Sequence, residues 1–168
     1  MHIAIFTNCY LPLVNGVVGV VNLLRKGFLE LGHEVSLFAP DFDAYVDEEA
    51  GIYRYPAVDL TKKIKYPVAI PFAPKIAKVL RELDFDIVHS HHPFVLGPSA
   101  LKLARRRKKP IVYTFHTQYD QYSHYVPLPS GLVNWFSKNQ VRRFAQAVDQ
   151  ITTPAESAGA VLSRYGVT

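Results

Sequence analysis

Histidine and tyrosine side chains are concentrated in two short stretches of the sequence. The stretch DIVHSHHPF contains His89, His91 and His92, and the stretch VYTFHTQYDQYSHYVP contains His116, Tyr119, Tyr122, His124 and Tyr125. Imidazoles can hydrogen-bond, transfer protons or bind metals, and tyrosine rings with polar tips suit sugars and amphipathic acceptors. Any one of these histidines fits a hydrogen-bonded structural residue. As a set they indicate a binding or catalytic site.

Two other kinds of chemistry are disfavoured by residue spacing. His89 and His91 alternate onto one strand face, but no carboxylate or cysteine stands at a supporting metal-ligand spacing. The sequence therefore predicts no metal site. A Ser-His-Asp triad is also disfavoured, because the chain contains no GxSxG nucleophile elbow.

The segment TNCYLPLVNGVVGVV carries a second set of candidates, at Tyr10, Asn15, Gly16 and Val17. It leads from a predicted strand into a predicted helix, whose N-terminal N–H groups and positive partial charge suit a phosphate. Gly16 equally fits a glycine that only permits the turn, and the local sequence leaves both interpretations open. The spacing GVVG matches neither GxGxxG nor GxxxxGK[ST], which disfavours NAD binding and P-loop chemistry.

These candidates follow short apolar runs that predict buried parallel strands. The runs are rich in β-branched residues and alternate with amphipathic stretches, which is typical of βαβ units. Six strands are predicted, at residues 3–7, 34–39, 52–55, 86–91, 111–115 and 150–153. The expected fold is a Rossmann-like, doubly wound α/β sheet of about six or more strands with helices on both faces. Ligands of such sheets bind beyond the carboxyl ends of the strands, where both candidate sets fall.

Three helices are predicted from apolar spacing. The first has an apolar face at Val17, Val20, Val21, Leu24, Phe28 and Leu31, and it places Asn22, Arg25, Lys26 and Glu30 toward solvent. The second repeats the pattern at Ile76, Val79, Leu80 and Leu83. The third is predicted to begin at Thr153 as N-cap, with Pro154 at its first position and Glu156 completing a capping box.

Composition bounds the remaining possibilities. The 168 residues are 49% hydrophobic and 20% charged, which is typical of one soluble globular domain covering residues 1–168. The single cysteine, Cys9, is expected to be a buried hydrophobe in a reducing compartment. The N-terminus lacks a basic n-region and cleavage site, so we expect a cytoplasmic protein.

The net charge of +5 favours acidic partners. Lys75, Lys78 and Arg81 share one helix face and could contact an anionic membrane, although such cations also simply face water. We interpret the run RRRKK at residues 105–109 as a solvated helix end. No RNP pattern or zinc-finger spacing supports nucleic-acid binding, which we do not expect.

Four segments, in order, resemble one known family. The sequences FTNCYLPLVNGVV, LGHEVSLFAP, DIVHSHHPFVLG and IVYTFHTQYDQYSHYVP are similar to the N-terminal domain of glycosyltransferase family four, retaining enzymes of the GT-B fold. The resemblance covers nearly the whole chain. The pattern HTxYxxYxHY, which begins at His116, is most similar to members that glycosylate diacylglycerol or related lipids.

The resemblance implies transfer of a hexose from a nucleoside diphosphate sugar to an acceptor hydroxyl, with no further cofactor. It implies that the Gly16 loop approaches the donor diphosphate or the acceptor and that His116 lies near the reacting sugar. Gly16 and Val17 are our candidates for binding the donor phosphate. The acceptor side would be formed by Tyr10, Asn15, His91, Tyr119, Tyr122, His124 and Tyr125. The family's nucleotide-sugar-binding C-terminal domain is absent from this chain, so the fragment alone is expected to be inactive. A non-catalytic module that binds a sugar, nucleotide or lipid is the alternative.

Overall fold

A computed structural model describes residues 1–61, 64–116 and 129–167 of the chain. Its main sheet contains six parallel strands in the order β3-β2-β1-β6-β7-β8. The strands are β1 (His2–Phe6), β2 (Glu34–Pro40), β3 (Ile52–Tyr55), β6 (Ile87–Ser90), β7 (Ile111–Thr114) and β8 (Gln150–Thr152). All six predicted strands are confirmed, and so is the α/β fold class.

The strand order reverses between β1 and β6, where β1 has β2 on one side and β6 on the other. This arrangement matches the doubly wound order, in which a crevice opens at the reversal, beyond the carboxyl ends of the strands. The loops after β1 and β6 therefore border the expected ligand crevice.

Five helices cover the two faces of this sheet. They are α1 (Gly16–Glu30), α2 (Pro74–Glu82), α3 (Leu96–Arg107), α4 (Ser130–Ala145) and α5 (Glu156–Arg164). Val18 and Val21 of α1 pack on one face against Ile5 and Leu37. The other four helices contribute to a second core on the opposite face, through Ile76, Ala100, Val141 and Leu162. Among the described helices, α1 alone packs on the first face of the sheet, and the other four pack on the opposite face.

The predicted solvent face of α1 is wrong in part. Arg25 is buried, because its guanidinium pairs with Glu49 and donates a hydrogen bond to the carbonyl oxygen of Ala50 at 2.8 Å. Leu31, which was expected in the core, is exposed and forms the helix C-cap. The ion pair with Glu49 neutralises Arg25, which allows its burial. The buried face of α1 is therefore rotated toward Arg25 relative to the predicted face.

The predicted start of α5 is also wrong. The helix begins at Glu156 with Ala155 as its N-cap, and no side chain caps it. Ala155 has an extended backbone, with φ −153° and ψ 154°, so the helix cannot begin before Glu156. Residues 153–155 therefore form the loop between β8 and α5.

A two-stranded antiparallel hairpin goes beyond the predicted elements. It consists of β4 (Ala57–Thr61) and β5 (Ile64–Ala69), inserted between β3 and α2. The described part of the chain contains no helix that is both long and apolar enough to cross a membrane.

Candidate functional site

Asn8 joins the two loops at the strand-order reversal. Its backbone N–H donates to Nδ1 of His92 at 3.0 Å, and its side-chain amide donates to the carbonyl oxygen of Phe94 at 2.9 Å. Its Oδ1 accepts from the backbone N–H of Leu96, at the start of α3. Asn8 was not among the predicted site residues, because the local sequence around a single asparagine after a strand does not indicate its three partners, which lie more than 80 residues away.

His92 is held in one tautomer by this contact. Because Nδ1 accepts the Asn8 N–H, the proton of the neutral ring lies on Nε2, which is 3.9 Å from Sγ of Cys9. Burial lowers the pKa of His92 to about 3, so the ring is neutral at physiological pH. Cys9 is buried, as predicted, and burial raises the pKa of its thiol.

His91 and His116 meet beyond the ends of β6 and β7. Nδ1 of His91 lies 2.7 Å from Nε2 of His116. His91 is fully buried, whereas His116 is partly exposed to solvent. Burial lowers the pKa of His116 to about 4 and, together with the neighbouring imidazoles, holds the pKa of His91 well below its usual value. The pair is therefore neutral at pH 7.

His89 continues this polar row inward. Its Nε2 lies 2.7 Å from Oγ1 of Thr114, which lies 2.7 Å from Oγ1 of Thr152. The His89 and His91 rings stack with centroids 4.3 Å apart. Burial lowers the pKa of His89 to about 4. Three adjacent strands thus supply one connected row of hydrogen-bonding side chains, which is buried at His89 and Thr114 and exposed at Thr152.

The Gly16 loop presents two free amides at the start of α1. Asn15 caps the helix, since its Oδ1 accepts the Val18 N–H at 3.0 Å and its carbonyl accepts the Gly19 N–H. The N–H groups of Gly16 and Val17 have no hydrogen-bond partner among the described residues. Gly16 is exposed, and a Cβ placed on it would meet nothing within 4 Å. These N–H groups can donate hydrogen bonds to an anionic ligand.

Tyr10 lies in the core under this loop. It is 1% exposed, and its hydroxyl donates to Oδ1 of Asn22 on α1. This burial favours a role in holding the loop against α1 over direct contact with a ligand.

Arg54, at the end of β3, fixes the same loop from its other side. Its guanidinium donates to the carbonyl oxygens of Leu11 and Pro40, each at 2.8 Å, and pairs with Asp47. It also lies 5.5 Å from the ring centroid of Tyr10. Arg54 was not among the predicted site residues, because its partners lie 7 to 43 residues away in sequence and two of them are backbone carbonyl oxygens.

The remaining candidates lie elsewhere. Lys75, Lys78 and Arg81 are exposed on α2, opposite the buried Ile76. Four predicted acceptor residues fall in residues 117–128, outside the described part of the chain: Tyr119, Tyr122, His124 and Tyr125. Within the described ranges, no group of three or more His, Cys, Asp or Glu side chains is arranged to hold a metal ion.

The fold and this site define a doubly wound α/β protein whose ligand crevice lies at the strand-order reversal. The family model for Glycosyltransferase Family 4 matches residues 14–168. The chain therefore belongs to this family, which confirms the resemblance seen in its sequence.

Two relatives show how much of such proteins the chain represents. It is 34% identical over 152 residues to the alpha-monoglucosyldiacylglycerol synthase of Acholeplasma laidlawii, covering 89% of this chain and 37% of that protein. It is 32% identical over 143 residues to the GDP-mannose-dependent alpha-mannosyltransferase of Corynebacterium glutamicum, covering 80% of this chain and 34% of that protein. The chain thus spans little more than a third of either relative.

A solved structure supports the fold. An alpha-glucosyltransferase in complex with UDP and a 13-mer DNA superposes with a TM-score of 0.51 at 18% identity, covering 98% of this chain and 39% of that one. At this identity the likeness shows the fold alone.

Proposed function

We propose that the full-length protein transfers a hexose from a nucleoside diphosphate sugar to an acceptor hydroxyl, with retention at the anomeric carbon. The described residues would form the acceptor-side wall of the reaction cleft, and a second domain would bind the nucleotide. The pairing of His91 with His116 beside the crevice is the observation that carries this proposal. It makes a neutral, oriented imidazole available at the edge where doubly wound sheets bind ligands.

The Gly16 and Val17 amides would stabilise the leaving diphosphate. As the glycosidic bond to the donor breaks, negative charge grows on the phosphate while the sugar gains positive character. Fixed N–H donors and the positive end of α1 lower the energy of that charge separation. The Asn15 side chain caps α1 by accepting the N–H of Val18, so it leaves the N–H groups of Gly16 and Val17 free for a ligand.

His116 would orient the donor sugar by a hydrogen bond. Its pKa of about 4 keeps the ring neutral, so one nitrogen can donate and the other accept. A retaining reaction without an identified covalent nucleophile gives a general base no necessary role here. His91 would act through His116, since His91 itself is fully buried.

A lipid hydroxyl is the acceptor class that we propose, with diacylglycerol as the leading example. The support is the named activity of the Acholeplasma laidlawii relative, a glucosyldiacylglycerol synthase. Asn15, Tyr119, Tyr122, His124 and Tyr125 remain the proposed acceptor contacts, and Tyr10 would position Asn15 by holding its loop against α1. The donor is a glucose or mannose nucleotide, in line with the two relatives, and no further cofactor is proposed.

We also propose a cytoplasmic enzyme that contacts the inner face of the membrane. Lys75, Lys78 and Arg81 form an exposed basic face on α2, and Phe72, which is 85% exposed, immediately precedes that helix. A basic face with a neighbouring apolar side chain suits an anionic lipid surface.

The test uses full-length protein with UDP-glucose or GDP-mannose and diacylglycerol in mixed micelles. We expect a glycolipid whose one-bond C1–H1 coupling shows the same α configuration as the donor. Nucleotide-sugar binding without any product, across both donors and with soluble acceptors added, would favour a non-catalytic binding module instead.

A further inference from the structure

One residue in the loop between β6 and α3 has a backbone conformation that its side chain disfavours. Val95, the residue before α3, has φ 51° and ψ −90°. Positive φ is uncommon outside glycine, and for a β-branched residue such as valine it is a clear outlier. Such a conformation persists only where the surrounding contacts hold it, and it is concentrated at functional sites. The contacts around Val95 therefore matter for the crevice, which this loop borders.

The side-chain amide of Asn8 spans Val95. Its Nδ2 donates to the carbonyl oxygen of Phe94 at 2.9 Å, and its Oδ1 accepts the N–H of Leu96 at 3.2 Å. These two groups belong to the peptide units immediately before and after Val95. They are also the groups that bond to each other in a classic γ-turn, whose central residue has φ of about +75° and ψ of about −65°. Asn8 takes the place of that bond and restrains both dihedral angles of Val95.

Other contacts hold the loop on one side of Val95 or the other. Before it, the carbonyl oxygen of His92 accepts from Oγ of Ser90 at 3.0 Å, and that of Pro93 accepts from Nε2 of Gln140 at 2.9 Å. After it, a Cβ on Gly97 would collide with the carbonyl oxygen of His92. The loop therefore packs tightly against the start of α3, and the Asn8 side chain acts on both sides of the strained residue.

The same loop begins at one member of the histidine pair. The backbone N–H of His91 donates to the carbonyl oxygen of Phe6 at 2.9 Å, and its imidazole contacts that of His116. The next residue, His92, accepts the backbone N–H of Asn8 at its Nδ1. The path of the chain directly after His91 thus depends on Asn8.

The candidate phosphate-binding amides have anchors of their own. The loop that leads to Gly16 is held by Arg54, which donates to the carbonyl oxygen of Leu11, and by Tyr10, which donates to Asn22. Loss of the Asn8 side chain should therefore disturb the histidine side of the crevice more than the N-terminus of α1.

We propose that Asn8 is a positioning residue for hexose transfer. By holding the strained turn at Val95, it fixes the loop that begins at His91 and thereby the orientation of His116. Glycine adopts positive φ without the steric cost that valine has, so Val95→Gly should keep the turn even without Asn8. The effect on hexose transfer rests on the proposed function, whereas the effect on the imidazoles does not.

Kinetics of Asn8→Ala, Val95→Gly and the double variant in the full-length enzyme test the proposal, with folding verified by circular dichroism. We expect Asn8→Ala to lower kcat at least about tenfold, because reacting groups are misplaced. The donor KM should stay within about twofold of wild type, since ground-state binding is retained. Adding Val95→Gly should recover most of the lost kcat. The matched control is Gln140→Ala, which loses the bond to Pro93 in the same loop but does not span Val95. Any loss of kcat in that control should not be recovered by Val95→Gly.

Nitrogen-15 spectra of the imidazoles give a readout without turnover. Asn8→Ala should shift the resonances of His91 and His116, and Val95→Gly should return them toward their wild-type positions. Unchanged His116 resonances in Asn8→Ala, or a kcat near that of wild type, would overturn the proposal. Equal recovery of Gln140→Ala by Val95→Gly would overturn it too, because a more flexible loop would then explain the result.

A milder variant keeps the test decisive if Asn8→Ala does not fold. Asn8→Asp retains the acceptor for the Leu96 N–H and loses the donor to Phe94, and it is combined with Val95→Gly in the same way. A wild-type protein that transfers no hexose would contradict the proposed function. The imidazole spectra then decide by themselves whether Asn8 positions His116.

Discussion

Nδ1 of His91 lies 2.7 Å from Nε2 of His116, so a fully buried imidazole contacts and orients a partly exposed one. Nε2 of His91 has no hydrogen-bond partner among the described residues. A buried N–H without an acceptor is rarer than a buried acceptor without a donor, so the proton of the neutral His91 ring is better placed on Nδ1 than on Nε2. The Nδ1–H of His91 then donates to Nε2 of His116. His116 is then left with its own Nδ1–H available for a ligand.

Replacing His91 should misplace His116 without opening the fold. We expect His91→Phe in the full-length enzyme to lower kcat by about 10- to 100-fold, because small errors in positioning are costly in catalysis. His91→Asn, which keeps a hydrogen-bonding atom near the Nδ1 position, should recover part of that loss. Nitrogen-15 spectra of His116 provide the direct readout. Equal activity of the Phe and Asn variants, with an unchanged His116 tautomer, would show that the contact has no positioning role.

The free amides of α1 predict a specific effect at Gly16. A Cβ at this position meets no atom within 4 Å, so Gly16→Ala should fold normally. If the donor phosphate approaches the Gly16 amide, the added methyl group should obstruct it and raise the donor KM by about tenfold. Gly19→Ala is the matched control, since its Cβ also meets nothing within 4 Å. The same KM for both variants would argue that Gly16 serves only the turn.

Arg54 should stabilise the Gly16 loop through the geometry of its guanidinium. Arg54→Lys keeps the charge but cannot donate to Leu11, Pro40 and Asp47 together. We expect it to lower the free energy of unfolding by about 1–3 kcal/mol in urea titrations. Arg81→Lys, on the exposed face of α2, should be close to neutral. If Arg54→Lys and Arg81→Lys have the same free energy of unfolding, the Arg54 guanidinium does not stabilise the Gly16 loop.

The buried histidines predict a loss of stability in mild acid. The pKa of His89 is about 4 in the folded protein, against an ordinary value of 6.5, so below pH 6.5 the unfolded chain binds more protons. Stability should therefore be complete above pH 6.5 and fall as the pH drops from 6.5 toward 4. His89→Gln should reduce this slope by up to about 1.4 kcal/mol per pH unit. Urea unfolding at several pH values measures it, and an unchanged slope would mean that His89 is not held neutral.

The six sheet strands could be predicted because a buried parallel strand is marked by a local run of β-branched residues. The hairpin β4–β5 could not, since it lies outside that sheet and Pro67 interrupts the pattern of β5. Arg25 shows the limit of amphipathic spacing: its burial depends on Glu49, which sequence periodicity does not contain. Likewise, the sequence predicts that His91 and His116 end neighbouring strands, but their contact depends on the register of β6 against β7.

The most direct test of the proposed cleft compares His116→Ala with His33→Ala in the full-length enzyme. His33 precedes β2 at the opposite edge of the sheet and serves as the matched control. With folding verified by circular dichroism, we predict that His116→Ala lowers the rate of hexose transfer by at least about a hundredfold, the effect of losing a fixed donor in a reaction site. The control should keep wild-type turnover. Near-normal turnover of His116→Ala would contradict the account and place the reacting sugar elsewhere.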